Sequence, residues 1–294
     1  MLRLFLALAA LAAGSATADT KTTSVSSYAY DARGRIQTEL IKSYGPDAAL
    51  TSTTDVRYRY DEAAGHLLDQ TWTTKSPGGD VISSALTTHS WRDGELVQTE
   101  RSWMNAAGRQ TRREVDTWEK DDSIRLKQRQ TDVYDAEDLL VETRYGIHTF
   151  DTRGRSLARD ESRFDARGLQ TGRQLDELRY DTDGRIAGRT IHDFDVHDEI
   201  TKVVKERWTW GRPAAGGGER LERIDTTVKD GAGRVQETSI DKRAYEGGRM
   251  VQRTWSVFDA TGEITRQLVE SLAYDGAGHL QARRGTWEYF ADPR

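Results

Sequence analysis

The densest group of proton- and metal-binding side chains in the sequence is His192-Asp193-Phe194-Asp195-Val196-His197-Asp198-Glu199. Imidazoles and carboxylates this close could ligate a metal. Phe194-Asp195, however, is one copy of an aromatic-Asp step that recurs along the chain, so a turn explains it and no metal is expected. Asp181-Thr182-Asp183-Gly184 resembles the start of a calcium loop, but its twelfth position holds His192 where such a loop needs a Glu. The carboxylate pairs Asp121/Asp122 and Asp176/Glu177 stand in a chain that is 31% charged, and nothing singles out one pair as acid and base. No nucleophile elbow, P-loop or HExxH is present, and Pro213–Gly218 lacks the Lys-Ser/Thr of a phosphate cradle. Neither enzymatic chemistry nor a cofactor is expected. The remaining candidates are aromatic. Trp208 and Trp210 precede the Pro213–Gly218 loop, and with Trp91, Tyr58 and Tyr60 they form the candidate ligand-binding set. A flat apolar ring can stack on the C–H face of a sugar. The competing reading is that these rings fill ordinary packing positions of a repeat.

That repeat is the main feature of the chain. Tyr30-Asp31-Ala32-Arg33-Gly34-Arg35-Ile36 returns as Tyr180-Asp181-Thr182-Asp183-Gly184-Arg185-Ile186. Close copies begin at Phe150, Phe164, Phe258 and Tyr274, and looser ones at Tyr60, Trp91, Tyr134 and Tyr245. Asp can accept from the backbone two residues on, and Gly takes the left-handed position that a Cβ disfavours. The pattern predicts a type I turn closed by a G1 bulge. Tyr30 should then face Ile36, and Tyr180 should face Ile186. Turns fall about every 15 residues, so alternate turns share an edge and the full period is near 30. Strands of about ten residues rich in Thr, Val, Ile, Tyr and Trp fill the gaps. The expected fold is all-β: an up-and-down antiparallel meander of about 18 strands. Tyr28/Tyr30, Tyr58/Tyr60, His89/Trp91, His148/Phe150 and Trp208/Trp210 are each two apart, so each pair shares a face and an aromatic ladder should line one edge. Mid-strand segments such as Arg109–Glu114 and Lys127–Thr131 are polar on both faces, and their opposite charges are expected to pair on solvated surfaces. So wide a sheet would span roughly 85 Å if flat. It is expected to twist or curl into a spiral or open shell.

The repeated Tyr-Asp-x-x-Gly-Arg-Ile/Leu motif resembles the YD repeat of the RHS family, over about residues 19–294. The resemblance implies a β-meander that wraps into a shell and a surface-binding or carbohydrate-binding role.

Residues 1–18 read as a secretory signal peptide: Arg3, an apolar run Leu4–Ala13, then Ala16-Thr17-Ala18 as cleavage site. Residues 19–294 are expected to form one repeat domain, exported to the periplasm or outside the cell. The absence of Cys suits that compartment. With 43 basic and 48 acidic residues, net charge −5, no basic field points to nucleic acid. No strand shows the sustained apolar alternation that lipid demands, so a membrane-spanning barrel is not expected. The functional expectation is a non-enzymatic binding or scaffold protein whose partner is a cell-surface polysaccharide or another envelope or secreted protein. The alternative is a module related to RHS shells that cradles a polypeptide.

Overall fold

The computed structural model describes residues 20–121, 126–211 and 220–290. The expected signal peptide, the Pro213–Gly218 loop and Asp122 lie outside the described residues.

The strands are β1 Thr20–Tyr30, β2 Ile36–Tyr44, β3 Leu50–Tyr60, β4 Leu67–Lys75, β5 Val81–Arg92 and β6 Glu95–Asn105. They continue with β7 Gln110–Asp121, β8 Leu126–Tyr134, β9 Leu140–Phe150, β10 Ser156–Asp165, β11 Gln170–Tyr180 and β12 Ile186–Phe194. The last six are β13 Ile200–Gly211, β14 Arg220–Asp230, β15 Val235–Glu246, β16 Arg249–Asp259, β17 Ile264–Tyr274 and β18 Leu280–Tyr289. Each pairs antiparallel with its neighbours in sequence, as the turn spacing requires.

Each turn aspartate organises the chain locally. Asp31 Oδ1 accepts from the backbone N–H of Arg33 and Arg35, both at 2.9 Å, and Gly34 N–H donates to Asp31 O at 3.0 Å. Gly34 has φ +75°, and the register shifts by one residue beside it, which completes the bulge. Tyr30 does face Ile36, and Tyr180 does face Ile186. Two turns are tighter than this. Asp93-Gly94 and Gly247-Gly248 each connect strands with only two residues, both at positive φ, as in a type I′ hairpin.

The expectation of an open spiral or shell is wrong. β1 pairs with β18 over eight residue pairs, from Thr20 opposite Tyr289 to Ser27 opposite Ala282, so the 18-stranded sheet closes into a barrel. Every described strand is paired on both sides, and the barrel has no free edge to offer a partner strand. The physical reason is accumulated curl. Each hairpin contributes a small, consistent rotation, and a sheet this wide eliminates its edges by meeting itself.

One face of the wall is crowded and the other is not. Val56 and Val257 are fully buried, and Asp116 and Thr131 are 1% exposed, although no second layer covers the sheet. Crowding of one face in a single curved layer marks the concave side, so these residues line the lumen. Only five apolar side chains are buried among the described residues: Val56, Val133, Leu221, Val257 and Leu268. No packed centre can be built from so few. The hydrogen bonds, ion pairs and ring contacts among the described residues run along the wall, between neighbouring or next-neighbouring hairpins. A perimeter of 18 strands at ~4.8 Å, widened by strand tilt, gives a tube at least ~27 Å across between backbones, wide enough for an open lumen.

Candidate luminal binding surface

At one rim the luminal face carries a ring of aromatic residues. Each sits just before a turn and donates to a backbone carbonyl of the preceding hairpin. Tyr60 Oη donates to Ile36 O at 3.1 Å, Trp91 Nε1 to Leu67 O at 2.9 Å and Tyr180 Oη to Ser156 O at 2.7 Å. Trp210 Nε1 donates to Ile186 O at 2.8 Å, Tyr245 Oη to Leu221 O at 2.8 Å and Tyr274 Oη to Met250 O at 2.9 Å. The residue preceding the acceptor caps the ring. Arg35 lies 4.5 Å from the Tyr60 centroid and Arg155 4.4 Å from that of Tyr180, while His66 stacks on Trp91 at 4.3 Å. The seam obeys the same rule: Tyr30 Oη donates to Leu280 O at 2.7 Å, and His279 stacks on its ring at 4.9 Å. The expected aromatic ladder is therefore present, and it continues across the seam of the barrel.

One layer deeper, the rings carry a carboxylate beside them. Trp208 Nε1 donates to Glu206 Oε2 at 3.0 Å, and Tyr58 Oη donates to Glu39 Oε2 at 3.4 Å. Burial, reinforced by Glu39, pushes the Tyr28 hydroxyl up to about 12 and that of Tyr58 higher still. Both phenols stay protonated and able to donate throughout the neutral range.

Below this lies a layer of ion pairs. Asp116 accepts from Arg101 Nη1 at 3.0 Å, Arg129 Nη2 at 2.8 Å and Thr131 Oγ1 at 2.6 Å. Arg189 clasps Asp176 with two bonds of 2.7 Å. Asp241 takes Arg253 Nε at 2.9 Å and Arg243 Nη2 at 3.0 Å, and Glu270 takes Arg253 and Arg283. Asp116, Asp176, Asp241 and Glu270 are all buried, which corrects the expectation that the paired charges lie on solvated surfaces. Luminal crowding excludes water from them.

The five candidate residues from the sequence all lie on the luminal face. Trp91, Trp210 and Tyr60 belong to the rim ladder, while Tyr58 and Trp208 occupy the layer beneath it. The cross-strand register also places Trp72, Trp103, Trp118, Trp255 and Trp287 on this face, so all eight tryptophans of the chain point inward. Each is half-buried. The sequence signal for them was present in the two-residue alternation but was followed only near the turns.

The other chemistry candidates resolve into structure. Asp195 Oδ1 accepts from the backbone of His197 at 2.8 Å and Glu199 at 3.0 Å, and His192 lies on the outer face beside Phe194. Asp181 Oδ1 accepts from Asp183 at 3.0 Å and Arg185 at 2.9 Å, as a turn residue does. Asp176 faces inward and Glu177 outward, so they cannot work as a pair on one substrate. Among the described residues no group of three or more His, Asp or Glu side chains could hold a metal.

The outer face is polar at mid-height. Arg207 pairs there with Asp225 at 3.5 Å, and Lys242 and Arg284 are exposed at the same level, while Arg59 with Asp69 and Lys75 with Asp55 at 3.3 Å pair nearer the two rims. Outward aromatics gather near the opposite rim, where Arg113 lies 4.1 Å from the Tyr134 centroid and Arg173 5.1 Å from that of Phe194.

No described protein family matches the sequence, and no curated protein matches it. Among solved structures, the chain is similar to a porin-like protein from Bacteroides uniformis ATCC 8492, at 12% identity over 94% of this chain and 97% of that one, with a TM-score of 0.39. A porin-like protein from Bacteroides vulgatus ATCC 8482 aligns at 10% identity over 92% and 98%, with a TM-score of 0.33. A chain of the TcdB2-TccC3-Cdc42 complex aligns at 12% identity over 86% of this chain and 20% of its own, with a TM-score of 0.13. None of these scores carries an argument about function, and the barrel rests on its own strand register.

Proposed function

We propose that this is an exported, non-enzymatic barrel that works in water and binds an extended polymer, a polysaccharide, along its luminal face. The observation that carries the reading is the placement of all eight tryptophans on that face, half-buried and interleaved with carboxylates and arginines. Flat rings with hydrogen-bonding groups beside them suit the alternating C–H and hydroxyl faces of a sugar chain. The recurring Asp-led turns and ring-to-carbonyl bonds support kinship with YD repeats. Work in water follows from the outer face. Arg207, Lys242 and Arg284 stand at mid-height on the outer face, and each basic residue at a bilayer midplane would cost about 2–4 kcal/mol. No helix among the described residues is long and apolar enough to cross a membrane.

The test is a glycan-binding screen with purified residues 19–294 in detergent-free buffer, followed by titration of the best binder. Trp208→Ala should weaken that binding tenfold or more, which corresponds to about 1.4 kcal/mol. Trp208 is the informative position because its indole bonds a side chain, whereas Trp210 also holds the rim together through Ile186 O. A single stoichiometric protein partner recovered without glycan would replace this reading with the polypeptide cradle. Recovery of the protein only from detergent-extracted outer membrane would overturn the aqueous reading.

A further inference from the structure

The ion-pair layer of the lumen is written into the 30-residue period, and one repeat breaks it. Asp116 pairs with Arg129, and thirteen residues likewise separate Asp176 from Arg189. Midway between, the position thirteen before Arg159 is Gly146. Gly146 is buried on the luminal face, opposite Arg129 on one side and Glu161 on the other. Its backbone does not require glycine. A Cβ there would meet Arg129 O, Arg129 Cβ and His148 Nε2 at ordinary contact distances of 3.8–3.9 Å.

Arg159 keeps its place without its carboxylate. Its Nη2 donates to Gln174 Oε1 at 2.9 Å, and its buried Nε has no hydrogen-bond partner. It belongs to no ion pair among the described residues. Burial lowers its pKa, Glu161 on the same face and Asp176, its register partner on β11, act against that, and Arg129 and Arg189 add to it. Along the same wall the buried Trp118 Nε1 also has no acceptor, and Lys127 lies 4.6 Å from the Trp118 ring centroid. Unpartnered donors and cationic groups thus meet where the neighbouring repeats keep an acid.

We propose that the notch at Gly146 is a binding site for a carboxylate carried by the ligand, which takes the place that Asp116 and Asp176 hold in the adjacent repeats and pairs with Arg159. This rests on the luminal polysaccharide reading and narrows it to chains that bear uronic acids. The site would also discriminate. A neutral sugar at this point offers Arg159 Nε and Trp118 Nε1 only hydroxyl acceptors and no counter-charge, so the stronger charge-assisted bond is lost.

The probes are a hexagalacturonate, free galacturonate and the neutral cellohexaose, titrated into wild type, Gly146→Asp and Arg159→Gln. Wild type should bind the hexagalacturonate at least tenfold more tightly than cellohexaose, and free galacturonate should compete for the same site. Gly146→Asp supplies the missing carboxylate from the protein, so it should lose the preference for the acidic chain. Arg159→Gln should lose the same preference with no new acid introduced, and it serves if Gly146→Asp does not fold. Equal binding of acidic and neutral hexamers by wild type would overturn the site. So would wild-type affinity for hexagalacturonate in Gly146→Asp. If cellohexaose binding is present and falls on Trp208→Ala, luminal sugar binding survives the loss of the acidic site. If no glycan binds wild type, both readings fall.

Discussion

Replacing Asp116 with alanine should destabilise the barrel by about 3–5 kcal/mol, the cost of leaving buried charges without their counter-ion. The carboxylate is 1% exposed and accepts from Arg101, Arg129 and Thr131 at once. Removing it leaves two guanidiniums and a hydroxyl in a crowded wall that water cannot easily reach. An exposed ion pair would cost far less, typically under ~1 kcal/mol. Arg207→Ala, on the outer face opposite Asp225, is the matching control and should stay within that smaller range. Urea unfolding followed by tryptophan fluorescence measures both. A loss below about 1 kcal/mol for Asp116→Ala would mean that the luminal layer is fully solvated, and the assignment of the concave face would fail with it.

The second large effect concerns the seam. Thr23 on β1 and Thr286 on β18 are direct register partners, with their hydroxyl oxygens 3.3 Å apart. The sequence contains no cysteine, so Thr23→Cys with Thr286→Cys introduces one possible disulfide. In a closed barrel the two Cβ atoms face one another across adjacent strands, close to the spacing a disulfide needs. The bond would enclose almost the whole chain. Loop-closure entropy for a ring of that size sets a ceiling of about 5 kcal/mol of added stability, less whatever strain the bond introduces. The expected result is an oxidised monomer that unfolds at higher urea than its reduced form. An open spiral would hold these strands apart, and the double variant would stay reduced or form crosslinked dimers.

Why closure was missed follows from what each hairpin encodes. Tyr30-Asp31-x-x-Gly34-Arg35-Ile36 specifies a turn, a bulge and one cross-strand pair, and all three appear in the structure. None of those residues states how far the sheet curls per repeat, and closure is a sum over 18 such curls. A clue existed in the rim ladder. Tyr60, Trp91, Tyr180, Trp210, Tyr245 and Tyr274 each donate to a carbonyl of the hairpin before them, whereas Tyr30 donates to Leu280 of the last hairpin and so ties the two ends of the sheet together. The candidate site was half legible for a similar reason. Spacing by two places Tyr58 with Tyr60 and Trp208 with Trp210 on one face, and that holds. Alternation cannot tell a concave face from a convex one, so Asp116 and Asp176 read as solvated when they are buried. The Asp116/Arg129 and Asp176/Arg189 spacing was also visible in the sequence, and it acquires meaning only once both partners share the lumen.

The central claim is a closed barrel with a crowded inner face and an open outer one. Ser26 and Ser27 test it most directly, because they are neighbours on the seam strand β1 and face opposite ways. Ser26 is 8% exposed on the luminal side, and Ser27 is exposed outside. Ser26→Cys and Ser27→Cys are nearly isosteric changes in a chain that has no other thiol. Each is treated with a large maleimide-polyethylene glycol in detergent-free buffer, and modification is read as a mass shift. The barrel predicts rapid modification at Ser27→Cys and almost none at Ser26→Cys until urea unfolds the protein. Equal rates at the two positions in the folded protein would show β1 to be an open edge, and the closed barrel would be wrong.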